Sequence, residues 1–156
     1  MTGNTGNTGN TGNTGSTSLG ADGWFTEEGD GPALLGNRCT TCGTVFFPAA
    51  TSFCRNPECD GAEFAEHRLS RTGTVWAATD ARYAPPAPYI ATTDPYEPFA
   101  IAAVELAAEQ LVVLGQAGPG VSVDDLPAGT PVELVVDTLF EDEDHEYTIW
   151  KWSPVR

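Results

Sequence analysis

The sequence predicts a mainly β protein that consists of a small metal-binding ribbon followed by a β-barrel. Two observations support this prediction. All four cysteines lie in close pairs between residues 37 and 60, and short apolar and β-branched runs follow from residue 69 onward, separated by glycine, proline and acidic residues. We therefore expect a disordered low-complexity tail over residues 1–22, a lead-in segment and ribbon over 23–67, and the barrel over 68–156.

The cysteines form the pairs Cys39 with Cys42 and Cys54 with Cys59, in the pattern C-x2-C, eleven residues, C-x4-C. Four thiolates complete a tetrahedral shell around zinc, and the short spacing within each pair lets one turn aim two sulfurs at one point. Such a closed shell has no open position for water or substrate, so one structural Zn²⁺ is expected. Because the second pair is wider than the usual C-x2-C, a rubredoxin-like iron site and two structural disulfides stay open as alternatives.

The first residues, Thr2–Ser16, repeat the triplet Thr-Gly-Asn. They contain no apolar surface that could offset the entropy of ordering them, so we expect a flexible tail. The start of the chain has neither the basic region nor the apolar core of a secretory signal, and we expect a cytoplasmic location.

The composition is strongly acidic, with 22 Asp and Glu against 7 Lys and Arg, and a net charge of -15. Such a surface repels phosphate backbones and anionic lipid surfaces. We therefore expect neither nucleic acid nor a membrane as a partner.

The lead-in segment places Trp24 and Phe25 ahead of Thr26, which is positioned to cap a short helix. The aromatic pair has little local core to join, so it either packs on the ribbon or docks on another subunit. After the ribbon, Gly61–His67 is predicted to be a polar connector.

Three segments of the second half have the composition of strands: Leu69–Thr79, Val132–Asp137 and Tyr147–Trp152. In the last of these, alternation places Trp150 and Trp152 on one face, which we expect to point inward.

The segment Phe99–Gly115 is ambiguous. Its Ala, Glu, Leu and Gln residues favour a helix, whereas its two short apolar runs favour two strands joined by a turn at Ala107–Gln110. With two strands here, the second half would contain five strands, which suits a small Greek-key barrel.

The chain resembles the zinc-ribbon and OB-fold proteins that accompany thiolase-like enzymes in the stretches LLGNRCTTCGTVFFPA, FCRNPEC, LSRTGTVWAAT, PFAIAAVEL, LVVLGQ and GTPVELVV, in this order. The resemblance implies a rubredoxin-like zinc ribbon followed by a five-stranded OB-fold barrel, with the ambiguous segment as a hairpin. It also implies a non-catalytic accessory subunit. The resemblance further implies that such a subunit binds a thiolase, a ketoacyl synthase relative or a thiolase-like aldolase that shortens the side chains of steroid acyl-CoA esters, and that it helps to form the acyl-CoA pocket.

The residues themselves also favour a non-catalytic protein. The predicted metal ion binds all four thiols, so no cysteine remains as a nucleophile. His67 and His145 fall in polar or acidic connections, where solvated histidines are more common than catalytic ones. The acidic run Glu141–Asp144 is typical of a solvated turn. We therefore predict no catalytic residue in this chain.

The segment Asp80–Pro98 is the predicted partner surface, because it carries five prolines and three tyrosines in nineteen residues. Prolines lower the entropy lost on docking, and tyrosines supply amphipathic contact area. A loop folded back as a lid on its own barrel is the alternative. Together with the lead-in, the predicted partner-binding residues are Trp24, Phe25, Tyr83, Pro85, Pro86, Tyr89 and Tyr96.

Arg82 is predicted to bind a CoA phosphate, with an ion pair to Asp80 or Asp94 as the alternative.

A function of another class is single-stranded nucleic-acid binding, in which exposed aromatic residues of an OB-fold barrel stack on bases. That function needs a positive groove, which seven basic residues spread over the chain do not favour.

Overall fold

The computed structural model describes residues 16–156, which contain β-strands, one short 3₁₀ turn at Val123–Asp125 and no α-helix. Accordingly, no helix in this part of the chain is long and apolar enough to cross a membrane. The strands are β1 (Ser16–Leu19), β2 (Phe25–Thr26), β3 (Ala33–Cys39), β4 (Val45–Phe46), β5 (Phe64–Arg68), β6 (Thr72–Ala81), β7 (Phe99–Leu106), β8 (Leu111–Ala117), β9 (Pro131–Glu141) and β10 (His145–Pro154).

Strands β6 to β10 close into a barrel in the order β6-β7-β8-β10-β9, with β9 pairing back to β6. The β8–β10 contact is parallel, and the other contacts around the barrel are antiparallel. This order and these directions are those of an OB fold, so the predicted five-stranded barrel is confirmed. The ambiguous segment forms the hairpin β7–β8, and Gln110 in its turn has a positive φ of 56°.

The barrel core is organised around the C-terminal strand. Trp152 is fully buried and Trp150 is 9% exposed, which confirms that the tryptophan face of β10 points inward. Gly115 on β8 makes room for this packing, because a Cβ atom there would lie 2.7 Å from Cδ1 of Trp152. A larger residue at this position would push the tryptophan out of its place.

The ribbon is a small antiparallel sheet in which β3 pairs with β2, β4 and β5. Two local predictions are wrong here. The predicted connector at residues 61–67 contains most of β5, which gains backbone hydrogen bonds along β3. The short helix at Thr26 does not form, since Thr26 lies in β2 and its hydroxyl accepts a hydrogen bond from the Glu28 backbone.

The predicted tail also ends earlier than expected. Residues Ser16–Leu19 form β1, which pairs in parallel with β10, and the Gly20 amide donates to the Thr148 carbonyl at 2.6 Å. The expectation of a disordered tail therefore fails for residues 16–19, because the first half of β10 offers unpaired backbone groups to them. Residues 1–15, where most of that tail lies, are outside the described part of the chain.

An aromatic cluster joins the ribbon to the barrel. Phe25 and Phe47 pack edge-on against Trp150, with ring centroids 5.7 and 5.9 Å away, and Trp24 stacks on the same indole at 6.3 Å. Aromatic pairs at these separations stabilise packing beyond the area they bury. The lead-in thus anchors the ribbon on the barrel.

A second connection is made by Glu109, a buried residue in the β7–β8 turn. One of its carboxylate oxygens, Oε1, accepts hydrogen bonds at 2.9 Å from both the backbone and the hydroxyl of Ser70, and lies 3.3 Å from Nε2 of His67. The other oxygen, Oε2, has no hydrogen-bond partner within residues 16–156. Glu109 therefore ties the end of the ribbon and the linker to the barrel hairpin.

We predict that Glu109→Ala lowers the free energy of unfolding by about 1–2 kcal/mol, because it leaves the Ser70 donors without their acceptor. Loss of the unpaired Oε2 offsets part of this effect. Chemical denaturation of the zinc-loaded protein measures the difference. Glu105→Ala is the matched control, since Glu105 is an exposed glutamate on the same hairpin. Equal stability of the two variants would contradict a structural role for the Glu109 contacts.

Candidate metal centre

The first cysteine pair sits on a tight turn between β3 and β4. The Gly43 amide donates to the Cys39 carbonyl at 2.9 Å, and the Cys39 amide donates to the Thr44 carbonyl at the same distance. Gly43 has a φ of +79°, a conformation that residues with a Cβ atom rarely adopt. The turn thereby directs the side chains of Cys39 and Cys42 to one point.

The second pair reaches the same geometry with a longer turn. The Cys59 amide donates to the Asn56 carbonyl at 3.0 Å, and the Glu58 amide donates to Oδ1 of Asn56 at 3.1 Å. This Asx turn absorbs the additional residues of the C-x4-C spacing. The wider spacing therefore does not prevent Cys54 and Cys59 from facing the first pair.

All four sulfur atoms lie within 4.8 Å of one another. The Sγ atoms of Cys39 and Cys59 are 3.8 Å apart, and those of Cys42 and Cys54 are 3.6 Å apart. Zinc–sulfur bonds of about 2.3 Å place the corners of a tetrahedron about 3.8 Å apart. The four cysteines thus fit one zinc ion.

The same distances are too long for disulfides, whose sulfur atoms are about 2.05 Å apart. The four cysteines of the chain are free. The disulfide alternative is therefore wrong, and the residues instead present a complete set of four ligands to one ion.

The four thiols have different proton affinities. Hydrogen bonds from the side chain and backbone of Thr44 lower the pKa of Cys42 to about 6, and a backbone hydrogen bond from Cys42 lowers the pKa of Cys39. Burial raises the pKa of Cys54 to about 12. Because zinc binds thiolates, zinc binding must displace the proton of Cys54.

The surroundings hold the cluster in place. A Cβ atom at Gly61 would lie 2.9 Å from Sγ of Cys39, so only glycine leaves the ligand undisturbed. The Gly61 amide lies 3.3 Å from Sγ of Cys59, where it donates a hydrogen bond to the sulfur. With its four ligands in place, the ion has no open position, and its role is structural.

One supporting residue was not predicted from the sequence. Asn37 on β3 is buried, its Nδ2 donates to the Ala50 carbonyl at 2.8 Å, and its Oδ1 accepts from the Ala50 amide at 2.9 Å. These two bonds fix the loop between the cysteine pairs. An asparagine before C-x2-C is the only signal in the sequence, and it indicates no partner by itself.

The predicted partner residues of the lead-in are not equally accessible. Trp24 is 44% exposed, but Phe25 is 1% exposed and packs inside the chain. The prediction that the Phe25 side chain binds a partner is therefore wrong, because the barrel already supplies its contacts through Trp150.

The Asp80–Pro98 segment presents most of its side chains to solvent. Tyr83 is 77% exposed, and Pro85 and Pro86 are also exposed. Tyr89 is half-buried, as is Tyr96, whose hydroxyl donates to the Ala81 carbonyl at 2.5 Å. Their binding to a partner stays a prediction.

The charged candidates have partners within the chain. Arg82 donates a hydrogen bond to Oδ2 of Asp80 at 3.2 Å. This is one of the two ion pairs that were predicted as the alternative to phosphate binding. His145 lies 3.5 Å from Asp142 at the β9–β10 turn. His67, expected in a solvated connector, instead lies in β5 beside the buried Glu109.

Comparison with known proteins agrees with this geometry. Residues 27–65, which include all four cysteines, match the family model described as "ChsH2, rubredoxin-like zinc ribbon domain". The chain is also similar to a solved structure described as "Ltp2-ChsH2(DUF35) aldolase", with 27% sequence identity and a TM-score of 0.57. That match covers 78% of this chain and 84% of the other, a larger share than the ribbon or the barrel alone provides.

We predict that Cys54→Ser lowers the zinc content well below one ion per chain and unfolds residues 33–68. Zinc binding contributes about 10–16 kcal/mol to the folding of comparable small modules. Elemental analysis gives the metal content, and hydrogen exchange locates the unfolding. The control is Ser52→Ala, which changes an exposed residue of the same loop. Full zinc content in Cys54→Ser would show that this cysteine is not a ligand.

We also predict that zinc affinity falls as the pH decreases, on the order of tenfold per pH unit for each thiol that must release a proton. Cys54, whose pKa is about 12, and Cys59, whose pKa is raised above that of an ordinary thiol, each release a proton on zinc binding throughout the neutral range. Cys42, whose pKa is about 6, adds a further proton only below that pH, so the decrease becomes steeper there. Competition with a chromophoric chelator measures this slope. A constant slope across pH 6 would contradict the assigned role of Thr44.

Proposed function

We propose that this chain is a member of the ChsH2-like zinc-ribbon accessory family and acts as a non-catalytic subunit that binds and stabilises a thiolase-like acyl-CoA enzyme. The partner would be a thiolase or a retro-aldolase acting on a steroid or aromatic acyl-CoA in the cytoplasm. Carbon–carbon bond cleavage would take place in that partner. The accessory chain would help to form the acyl-CoA pocket.

The observation that carries this proposal is the similarity to a chain of the "Ltp2-ChsH2(DUF35) aldolase" over both the ribbon and the barrel. A match to the ribbon alone would support only a metal-binding module. The match instead extends over most of both chains at 27% sequence identity, so the proposal rests on likeness of sequence as well as of architecture.

The chemistry of the chain supports a non-catalytic role. The four thiols surround one metal position, which leaves none of them as a nucleophile. His67 and His145 each lie beside a carboxylate, in contacts that a structural role explains. The proposed catalytic groups therefore belong to the partner.

The Asp80–Pro98 segment supports the binding of a partner. Tyr83 and Ile90 are 77% and 62% exposed, large fractions for side chains of this size. Tyrosines and prolines provide contact area at a low entropic cost, which suits docking on a preformed surface.

Arg82 supports a contact with the CoA phosphates. Its side chain is 79% exposed, and its ion pair with Asp80 is a surface pair, which stabilises a protein by about 0–1 kcal/mol. A phosphate group, with more negative charge and more acceptor oxygens, would compete for the guanidinium. Arg82 lies beside Tyr83 on the wall of a surface cavity, so both would face the same ligand.

The proposal is tested by capture of the tagged chain from its native cytoplasm, followed by mass spectrometry and metal analysis. We expect a thiolase-like protein in near-equal amount and one zinc ion per chain. The purified chain alone should leave acyl-CoA esters intact, while the complex cleaves them. Recovery of the chain alone would contradict the proposal. Recovery with single-stranded nucleic acid, at an affinity that falls steeply with salt, would instead favour that function.

A further inference from the structure

The outer surface of the barrel carries apolar side chains that the core does not need. Cross-strand pairing brings Ala77 of β6, Ala103 of β7 and Leu114 of β8 into one row on this surface. Trp76 precedes Ala77, and Val112 lies two residues before Leu114 on the same face of β8. We call these five residues the outer apolar face.

Ala103 is 8% exposed, but the exposure of the other four side chains is unusual for an antiparallel sheet, whose solvent side normally carries polar residues. Trp76 and Leu114 are each 64% exposed, and Val112 is 49% exposed. Val113, which lies between Val112 and Leu114 in β8, is only 2% exposed. The core thus takes Val113, and the two neighbouring side chains gain little from folding. Large apolar groups that lie on the same face of a sheet form a patch, and such patches are typical of interaction sites.

A β-bulge places two consecutive side chains of β6 on the face. The register of β6 against β7 shifts between Val75 and Ala77, so that Trp76 and Ala77 are both exposed although they are consecutive. Regular alternation would have placed one of them inside the barrel. Bulges frequently re-aim a side chain next to a functional site.

The charge of the chain argues against a second copy as the occupant. Two copies would each bring a net charge of -15 to the contact. Glu105, which pairs with Val112 across the strands, is the charged residue at one end of the face. A partner with an apolar centre and a cationic side chain opposite Glu105 is complementary to this arrangement.

The outer apolar face and the Asp80–Pro98 segment are close enough to form one surface. β6 runs from Trp76 to Ala81 and continues directly into that segment. At about 3.3 Å per residue, Trp76 and Tyr83 are no more than about 25 Å apart. An interface that buries about 800 Å² on each partner has room for both.

We propose that the outer apolar face docks on an apolar patch of the thiolase-like enzyme subunit, with a cationic side chain of that subunit opposite Glu105. This inference rests on the proposed function and adds the barrel wall to the predicted interface. Trp76 supplies the central contact, since tryptophan side chains that become fully buried dominate the energetics of many interfaces.

The test uses the thiolase-like protein identified by capture, purified and mixed with the purified full-length zinc-loaded chain. Trp76→Ser and Leu114→Ser are each expected to weaken binding by about 30-fold or more, as loss of a central contact does. Phe53→Ser is the matched control, because Phe53 is 69% exposed but lies on the ribbon loop. Glu105→Lys should slow association, with the largest effect at low salt.

Zinc content and the thermal midpoint verify that each variant is folded. If Trp76→Ser does not fold, the binding affinity of Val112→Ser is measured in its place. Equal binding by the wild type and all folded variants would overturn the inference and leave the proposed function intact. Failure of the wild type to capture any thiolase-like protein would overturn both. Self-association of the wild type that Leu114→Ser abolishes would assign the face to a second copy and overturn the inference.

Discussion

The zinc–thiolate cluster is the constraint on which the N-terminal half depends. The ribbon strands are short, and β2 and β4 have two residues each, so they bury little apolar surface of their own. Coordination of one zinc ion by both cysteine pairs joins the two turns and takes the place of a hydrophobic core. The hydrogen bonds between Asn37 and Ala50 fix the loop between those turns. The order of this segment therefore follows from one ion and four ligands.

The ribbon is also held in a defined position on the barrel. Phe25 and Phe47 approach Trp150 from the ribbon side, while Glu109 reaches from the barrel hairpin to Ser70 and His67. One contact is apolar and the other polar, and they involve different strands. A body with such a fixed junction can present surfaces of both units to one partner without a large loss of conformational entropy on binding.

The proposed function uses the outside of this body. The barrel interior is filled by side chains such as Trp152 and Val104. The exposed groups that suit docking lie on the β6–β8 wall and in the segment that follows β6. A protein built in this way contributes position and surface to an assembly, and the chemistry can then reside in the partner.

The sequence by itself determined the features that depend on local spacing. The paired cysteines predicted the metal site, because ligand geometry follows from short turns. The alternation in Tyr147–Trp152 predicted the buried tryptophan face, because side chains alternate along a strand. The strand content of the barrel was also predictable, although Phe99–Gly115 required the resemblance, since its propensities favour helix and strand alike.

Only the tertiary structure decided the features that join distant parts of the chain. The sequence marks Glu109 only as a turn residue, and its hydrogen bond with Ser70 is seen only in the fold. The sequence likewise predicted that Phe25 binds a partner, whereas in the fold it packs against Trp150. The strand at residues 64–68 forms because β3 offers it backbone partners, which no local propensity encodes. The joint exposure of the consecutive residues Trp76 and Ala77 likewise depends on a bulge set by the pairing of β6 with β7, a register that a single strand does not specify.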